Sequence, residues 1–237
     1  MPTQYPSSPR PSVLLIGASR GLGLAMAEVF LKLGWQVTGT VRGTDTPLHG
    51  LVPVYGEQLH IETLDICDDA QLTTLNNRLT GAAFDMLFVN AGITNRDPSQ
   101  TIGEVSGEEF IQVMVTNALS PMRVIERLEK HIKPGGLIGV MSSGQGSISN
   151  NLTGQRELYR GSKAALNMFM RSFAARQADS ARALVVMAPG WIRTTMGGPD
   201  APYSIEETIP SLVNVLINKQ ARPGLEYLDF RGNTVPW

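Results

Sequence analysis

A chain of 237 residues, 42% apolar and 17% charged, can bury one large core, and a charge content below the roughly 25% of soluble domains leaves much of it for an interior. A net charge of −1, with no basic block, provides no electrostatic footprint for nucleic acid or an anionic membrane, and no apolar run approaches the ~18 residues that span a bilayer. The single cysteine, Cys67, excludes an internal disulfide and fits a reducing, cytoplasmic compartment.

In chain order, "MPTQYPSSPRP" (1–11) is rich in Pro and Ser, lacks the apolar stretch of a signal peptide and reads as a frayed leader. One domain is expected over 12–237. Short apolar or β-branched runs follow: "SVLLIG" (12–17), "WQVTGTVR" (35–42), "LHIETLD" (59–65), "DMLFVNAG" (85–92), "GGLIGVMSS" (136–143) and "ARALVVMAPG" (181–190). Between them, segments 21–33, 69–80, 107–132 and 155–179 carry apolar residues at three- and four-residue spacing, the period of a helix face. Six strands alternating with helices predict an α/β fold, a doubly wound parallel sheet with helices on both faces. Ligands of such sheets bind outside the carboxyl ends of the strands.

The first strand ends in "GASRGLG" and runs straight into a helix beginning near Leu22. A turn this tight needs Gly17, Gly21 and Gly23 where backbone meets ligand. With Ser19, Arg20 and Leu22 among them, these residues present unpaired helical N–H groups to a pyrophosphate. Strand two closes on Arg42, where a cofactor without a 2′-phosphate would want an acid. Arg42 and Arg20 are either two forks for a phosphate monoester or two solvated surface arginines. After strand three, Asp65, with Ile66 beside it, is placed to accept from an adenine amino group, while Asp68 or Asp69 caps the next helix. Strand four ends in Asn90, Ala91 and Gly92, small enough for backbone to approach a cofactor, and Asn90 is placed to tie neighbouring strands. Tyr159 and Lys163, four apart, share one face of a helix.

These segments, in this order, resemble the short-chain dehydrogenase/reductase family across roughly residues 12 to 230. The matching residues are Gly17, Gly21, Gly23, Asp65, Asn90, Ala91, Gly92, Asn117, Ser143, Tyr159, Lys163, Pro189 and Gly190. More narrowly, "PGWIRTTMGGPDAPYSIEET" and "VPW" look like the C-factor and sniffer-like carbonyl reductase branch. The resemblance implies a Rossmann-type domain that moves hydride between NAD(P) and a carbonyl or alcohol. It further implies Tyr159 as acid/base, Lys163 on the nicotinamide ribose, Ser143 on the substrate oxygen and Asn117 holding a relay water. The pair of arginines points to NADPH over NADH. Pro189, Gly190, Ile192 and Thr194 would meet the nicotinamide carboxamide.

A carbonyl reductase needs a proton donor at oxygen as hydride reaches carbon, and a free tyrosine near pKa 10 is poorly poised for it. Lowering it by about three units takes roughly 4 kcal/mol, which one ammonium about 4 Å away supplies at an effective dielectric near 20. Lys163 is expected to be that charge. Ser143 precedes Tyr159 by 16 residues, whereas the family usually has 12 to 14, so Ser142 stays in contention, with a backbone-capping role as its alternative. Asn117 sits mid-helix, where the alternative is a kink near Pro121.

Segment 191–210 reads as a substrate lid. Ser204 and Glu207 form a capping box for a further helix. Substrate walls of 144–153 and 191–202 offer Arg193 and Asp200 as charged anchors. His49, His60 and His131 lack metal-ligand spacing and read as structural or surface residues. Helices 107–132 and 155–179 are dimer or tetramer faces in the family. A catalytically quiet dinucleotide-binding signalling or scaffold protein is the alternative function, since fold does not fix activity.

Overall fold

The computed structural model describes residues 10–237. The expected leader therefore lies almost wholly outside the described residues, although Pro11 already accepts a hydrogen bond from Gln36 N–H at 2.9 Å.

Strands β1 (Ser12–Ile16), β2 (Gln36–Val41), β3 (Leu59–Thr63), β4 (Phe84–Val89), β5 (Ile132–Met141), β6 (Ala183–Ala188) and β7 (Gly224–Asp229) form one sheet in the order β3-β2-β1-β4-β5-β6-β7. Every neighbouring pair is parallel. The helices are α1 (Gly21–Lys32), a short α2 (Val52–Tyr55), α3 (Asp69–Arg78), α4 (Gly107–Met114), α5 (Ser120–Leu128), α6 (Glu157–Arg176) and α7 (Ile205–Lys219).

The period of two along a strand sends alternate side chains to opposite faces. Val13 and Leu15 of β1 pack with Met26 and Phe30 of α1 and with Leu212 and Leu216 of α7. Leu14 and Ile16 pack on the other face with Leu72 of α3, Ile125 of α5 and Phe173 of α6. Burial on both faces explains why the strands read as continuous apolar runs. No helix among the described residues is long and apolar enough to cross a membrane.

Three elements differ from expectation. The seventh strand, β7, was not anticipated, because Glu226 and Asp229 interrupt its apolar run. It lies at the sheet edge beside β6 alone, where one flank needs no partner. The segment expected as one helix over 107–132 is α4, then a π turn over Val115–Leu119, then α5, so the departure lies at Asn117 and not at Pro121. Pro121 sits in the first turn of α5, directly after the π turn, and has no N–H to donate back into it. Finally, β5 begins at Ile132, and its register against β4 jumps from Phe84↔Ile132 to Met86↔Leu137. The residues between include Pro134, which a ladder tolerates at such an irregularity.

The chain winds from β1 through β2 to β3, then crosses back to lay β4 on the other side of β1. The crevice between β1 and β4 is thus the switch point where doubly wound sheets bind ligands.

Candidate active site

At the switch point, Asn90 Nδ2 donates to Gly17 O at 2.8 Å, joining the ends of β4 and β1 as expected. A side chain on Gly23 would put its Cβ 2.0 Å from Gly17 O and 2.6 Å from Asn90 Nδ2, so α1 packs onto the turn only as glycine. Gly17 adopts φ +88° with Ala91 against it. Gly21, also at positive φ, has open space where a Cβ would be. The start of α1 has no side-chain cap and no acid in its first turn, whereas Asp68 caps α3, Ser106 caps α4 and Ser204 with Glu207 caps α7. The N–H groups of α1 are left for an anion from outside the chain, and these residues fit a dinucleotide pyrophosphate.

Arg20 and Arg42 are exposed and pair with no carboxylate among the described residues. Asp65 turns one carboxylate oxygen to Cys67 N–H at 2.9 Å, and Ile66 is buried behind it.

The catalytic candidates converge at the carboxyl end of β5. Tyr159 and Lys163, on α6, are 8% and 3% exposed. The Ser143 hydroxyl faces the Tyr159 phenol, and burial pushes the phenol above the ordinary tyrosine value, with Ser143 and the charge of Arg156 pulling it partly back. Lys163 Nζ donates to Met141 O at 2.9 Å and lies 5.8 Å from the Tyr159 ring centre. Burial brings its ammonium down to about 8. Lys163, expected to lower the phenol, is not among the groups that pull it down in this structure, which are Ser143 and Arg156. Desolvation dominates at both groups, and the ammonium is turned to a backbone carbonyl.

The serines separate by partner. Ser142 Oγ donates to Asn167 Oδ1 at 2.6 Å and is buried, a side-chain bond and not the backbone cap expected of it. Ser143 faces Tyr159 and caps the short turn after β5, accepting from Gln145 N–H at 3.1 Å. Asn117 is fully buried in the π turn. Its Oδ1 accepts from Ile93 N–H at 2.8 Å, and its Nδ2 donates to Ile93 O at 2.8 Å and Ser162 Oγ at 3.0 Å. The side chain has no N–H left for a water.

Beyond β6, Pro189 is buried and Gly190 exposed. Ile192 bridges to Tyr203. The Thr194 hydroxyl accepts from Gly197 N–H at 3.0 Å, so it serves its own turn. Arg193, expected as a substrate anchor, instead donates to Ala201 O and Pro202 O at 2.9 and 3.0 Å and lies 3.6 Å from Glu207. It braces segment 191–207 because these carbonyls offer nearby acceptors. Among the histidines, His49 meets Thr46 and His131 meets Asn76.

Three residues join the site that the motifs did not name. Asn167 holds Ser142 and donates to Gly146 O at 3.1 Å; it lies four residues after Lys163, so the same helical spacing reaches it. Arg156, three before Tyr159, places its guanidinium 5.0 Å from the Tyr159 ring centre. Tyr227 donates to Ser143 O, and burial raises its phenol to about 12. It comes from β7, for which the sequence carried no signal.

The family profile for short chain dehydrogenase matches residues 11–202. The chain belongs to this family. It is 62% identical to a short-chain dehydrogenase/reductase from Burkholderia multivorans with bound NADP, over 97% of this chain and 100% of that one, at a TM-score of 0.95. It is 31% identical to the C-signal of Myxococcus xanthus over 65% of this chain and 92% of that protein. Carbonyl reductase Sniffer of D. melanogaster is 25% identical, covering 96% of this chain and 100% of its own, at a TM-score of 0.85. The short-chain dehydrogenase expectation and its C-factor and sniffer-like neighbourhood are thus borne out.

Proposed function

We propose that this protein is an NADPH-dependent carbonyl reductase that interconverts a small-molecule carbonyl and its alcohol. The observation that carries the reading is the meeting of half-buried Ser143 with buried Tyr159 and Lys163 at the end of β5, beside the β1/β4 crevice.

Bound NADPH supplies the hydride. Tyr159 Oη gives its proton to the substrate oxygen in reduction and takes it back in oxidation. The Ser143 hydroxyl, which faces that phenol, holds the same oxygen. Lys163 would hold the nicotinamide ribose, and its charge favours the phenolate. Because the Asn117 amide is committed to Ile93 and Ser162, its part in a proton relay runs through the backbone of the π turn. Gly17, Ser19, Gly21, Leu22 and Gly23 would cradle the pyrophosphate, and Asp65 and Ile66 the adenine. Asn90, Ala91 and Gly92 would back the cofactor. Pro189, Gly190, Ile192 and Thr194 would border its carboxamide. Arg20 and Arg42, exposed and without a carboxylate partner among the described residues, support a preference for NADPH over NADH. Segment 191–210 serves as the lid. Exposed Phe110, Ile111, Leu119, Met168 and Phe169 support self-association through the face of α4 and α6.

The test follows NADPH absorbance over a panel of ketones, aldehydes and quinones. Wild type is expected to turn over at least one, and Tyr159→Phe to lose at least ~10²-fold in turnover with cofactor affinity within a few-fold. Silence of the wild type across the panel favours the quiet signalling or scaffold protein. Retention of more than a third of turnover in Tyr159→Phe sinks the role of the phenol.

A further inference from the structure

The residues just before α6 are in an unusual backbone state. Gln155 and Arg156 stand at φ 56° and 53°, two successive side-chain-bearing residues in the left-handed region, which costs of order 1 kcal/mol each and persists where surroundings enforce it. The result is to aim Arg156 back over the first turn of its helix. Its guanidinium lies 5.0 Å from the Tyr159 ring centre, nearer than Lys163 Nζ at 5.8 Å. Arg156 Nη2 donates to Thr94 Oγ1 at 3.2 Å, and its buried Nε has no hydrogen-bond partner. No carboxylate pairs with it among the described residues, so its charge stands unneutralised beside the phenol.

We propose that Arg156 is a second cation of the site, a positioning residue that acts through Tyr159 by stabilising its phenolate. The idea rests on the reading of Tyr159 as the acid/base. The charged and titratable groups facing Tyr159 are few: Lys163 on α6, Arg156 just before it, and Tyr227 on β7, with the neutral Ser143 at the end of β5. Glu157 is turned away to Ile102 N–H, and Arg160 to Gln155 O. Of the two cations, Lys163 loses its proton at about 8, whereas a guanidinium stays charged throughout the accessible range. Arg156 therefore sustains the positive field on Tyr159 at alkaline pH, where Lys163 no longer does. The left-handed backbone and the Thr94 bond hold it there. Asn117 fixes that same loop through Ile93, so the π turn supports the arginine as well.

The experiment is carbon-13 NMR of protein labelled at tyrosine Cζ, titrated with pH both free and with NADP+ added, with Tyr159 assigned by Tyr159→Phe. Arg156→Gln is expected to raise the Tyr159 midpoint by about one unit or more, from a charge about 5 Å away screened by partial exposure. Arg156→Lys should restore most of it. If Arg156→Gln does not fold, Arg156→Asn removes the charge with a residue that tolerates positive φ. An unmoved midpoint overturns the proposal, as does a wild-type Tyr159 that stays protonated to pH 11 in both conditions. The readout needs no turnover, so failure of the reductase assay and failure here are distinct results.

Discussion

Replacing Lys163 with Met is expected to stabilise the protein below pH 8 while lowering turnover by at least ~10²-fold. Lys163 is 3% exposed, and burial takes its ammonium from 10.5 to about 8. Below pH 8 both the folded and the unfolded chain carry the proton, and the folded state bears the whole cost of a buried charge. At about 1.4 kcal/mol per unit this cost is about 3 kcal/mol. Between pH 8 and 10.5 the unfolded chain binds more protons than the folded one, so the stability of the wild type rises with pH and the penalty disappears near 10.5. Methionine fills the same volume but cannot donate to Met141 O, a loss of about 1 kcal/mol. The variant should therefore be more stable than wild type by about 2 kcal/mol at pH 7 and less stable by about 1 kcal/mol near pH 10.5. Urea denaturation of both proteins at the two pH values, each also carrying Tyr159→Phe to remove the coupled phenol, measures the crossing, and titrating groups away from the site cancel in the difference. A difference independent of pH would refute the reasoning, because the penalty would then not be that of a buried ammonium.

Ser142→Ala strands the buried Asn167 Oδ1 and should destabilise by about 1–3 kcal/mol in urea with turnover within a few-fold. Ser143→Ala should do the opposite, lowering turnover by about tenfold or more with stability nearly kept; equal effects on turnover would undo the separation of the two serines. Gly23→Ala drives a methyl group into Gly17 O at 2.0 Å and should cost at least about 3 kcal/mol or prevent folding, and a thermal melt like that of wild type would show the turn to be slack. Arg42→Asp replaces a fork with a carboxylate and should reverse an NADPH preference of about tenfold. Fluorescence titration of both cofactors at fixed ionic strength decides it, and a variant still favouring NADPH would make Arg42 a solvated surface arginine.

What the sequence made legible divides along physical lines. Strands buried on both faces declare themselves as apolar runs, and all six runs are strands, including the half-exposed edge strand β3, which the alternation of Leu59, Ile61 and the run into Leu64 still marks. The edge strand β7 has one half-open flank and carries two acids, so no run marks it, and Tyr227 was hidden with it. The glycine turn and the Tyr159/Lys163 spacing were readable because both are local. The distinction between Ser142 and Ser143 was not, since it depends on Asn167 from α6 and on which hydroxyl the fold turns toward Tyr159. Asn117 shows the same limit. A poor helix former mid-helix signalled a break, yet a π turn around a buried amide bonded to Ile93 is a tertiary fact.

The distribution of unfavourable features around this site is itself informative. Helices α3, α4 and α7 begin with side-chain caps, and α7 has a complete capping box. Helices α2 and α5, which continue from a preceding helical turn, and α1 and α6, which border the crevice and the phenol, have none; at α1 and α6 this forgoes about 1 kcal/mol each. At α6 the start is also left-handed at Gln155 and Arg156, and about two turns later it buries an ammonium that burial disfavours. A chain selected for stability alone would cap α1 with Ser or Asp. It would also place a small or apolar residue at 163. An acid at the start of α1, however, would repel the anion that the uncapped N–H groups suit, and an apolar residue at 163 would remove the ammonium that stands 5.8 Å from the Tyr159 ring centre. The local penalties fall where an incoming ligand's own charges would offset them, so the binding of that ligand and the stability of the fold are coupled through the same backbone.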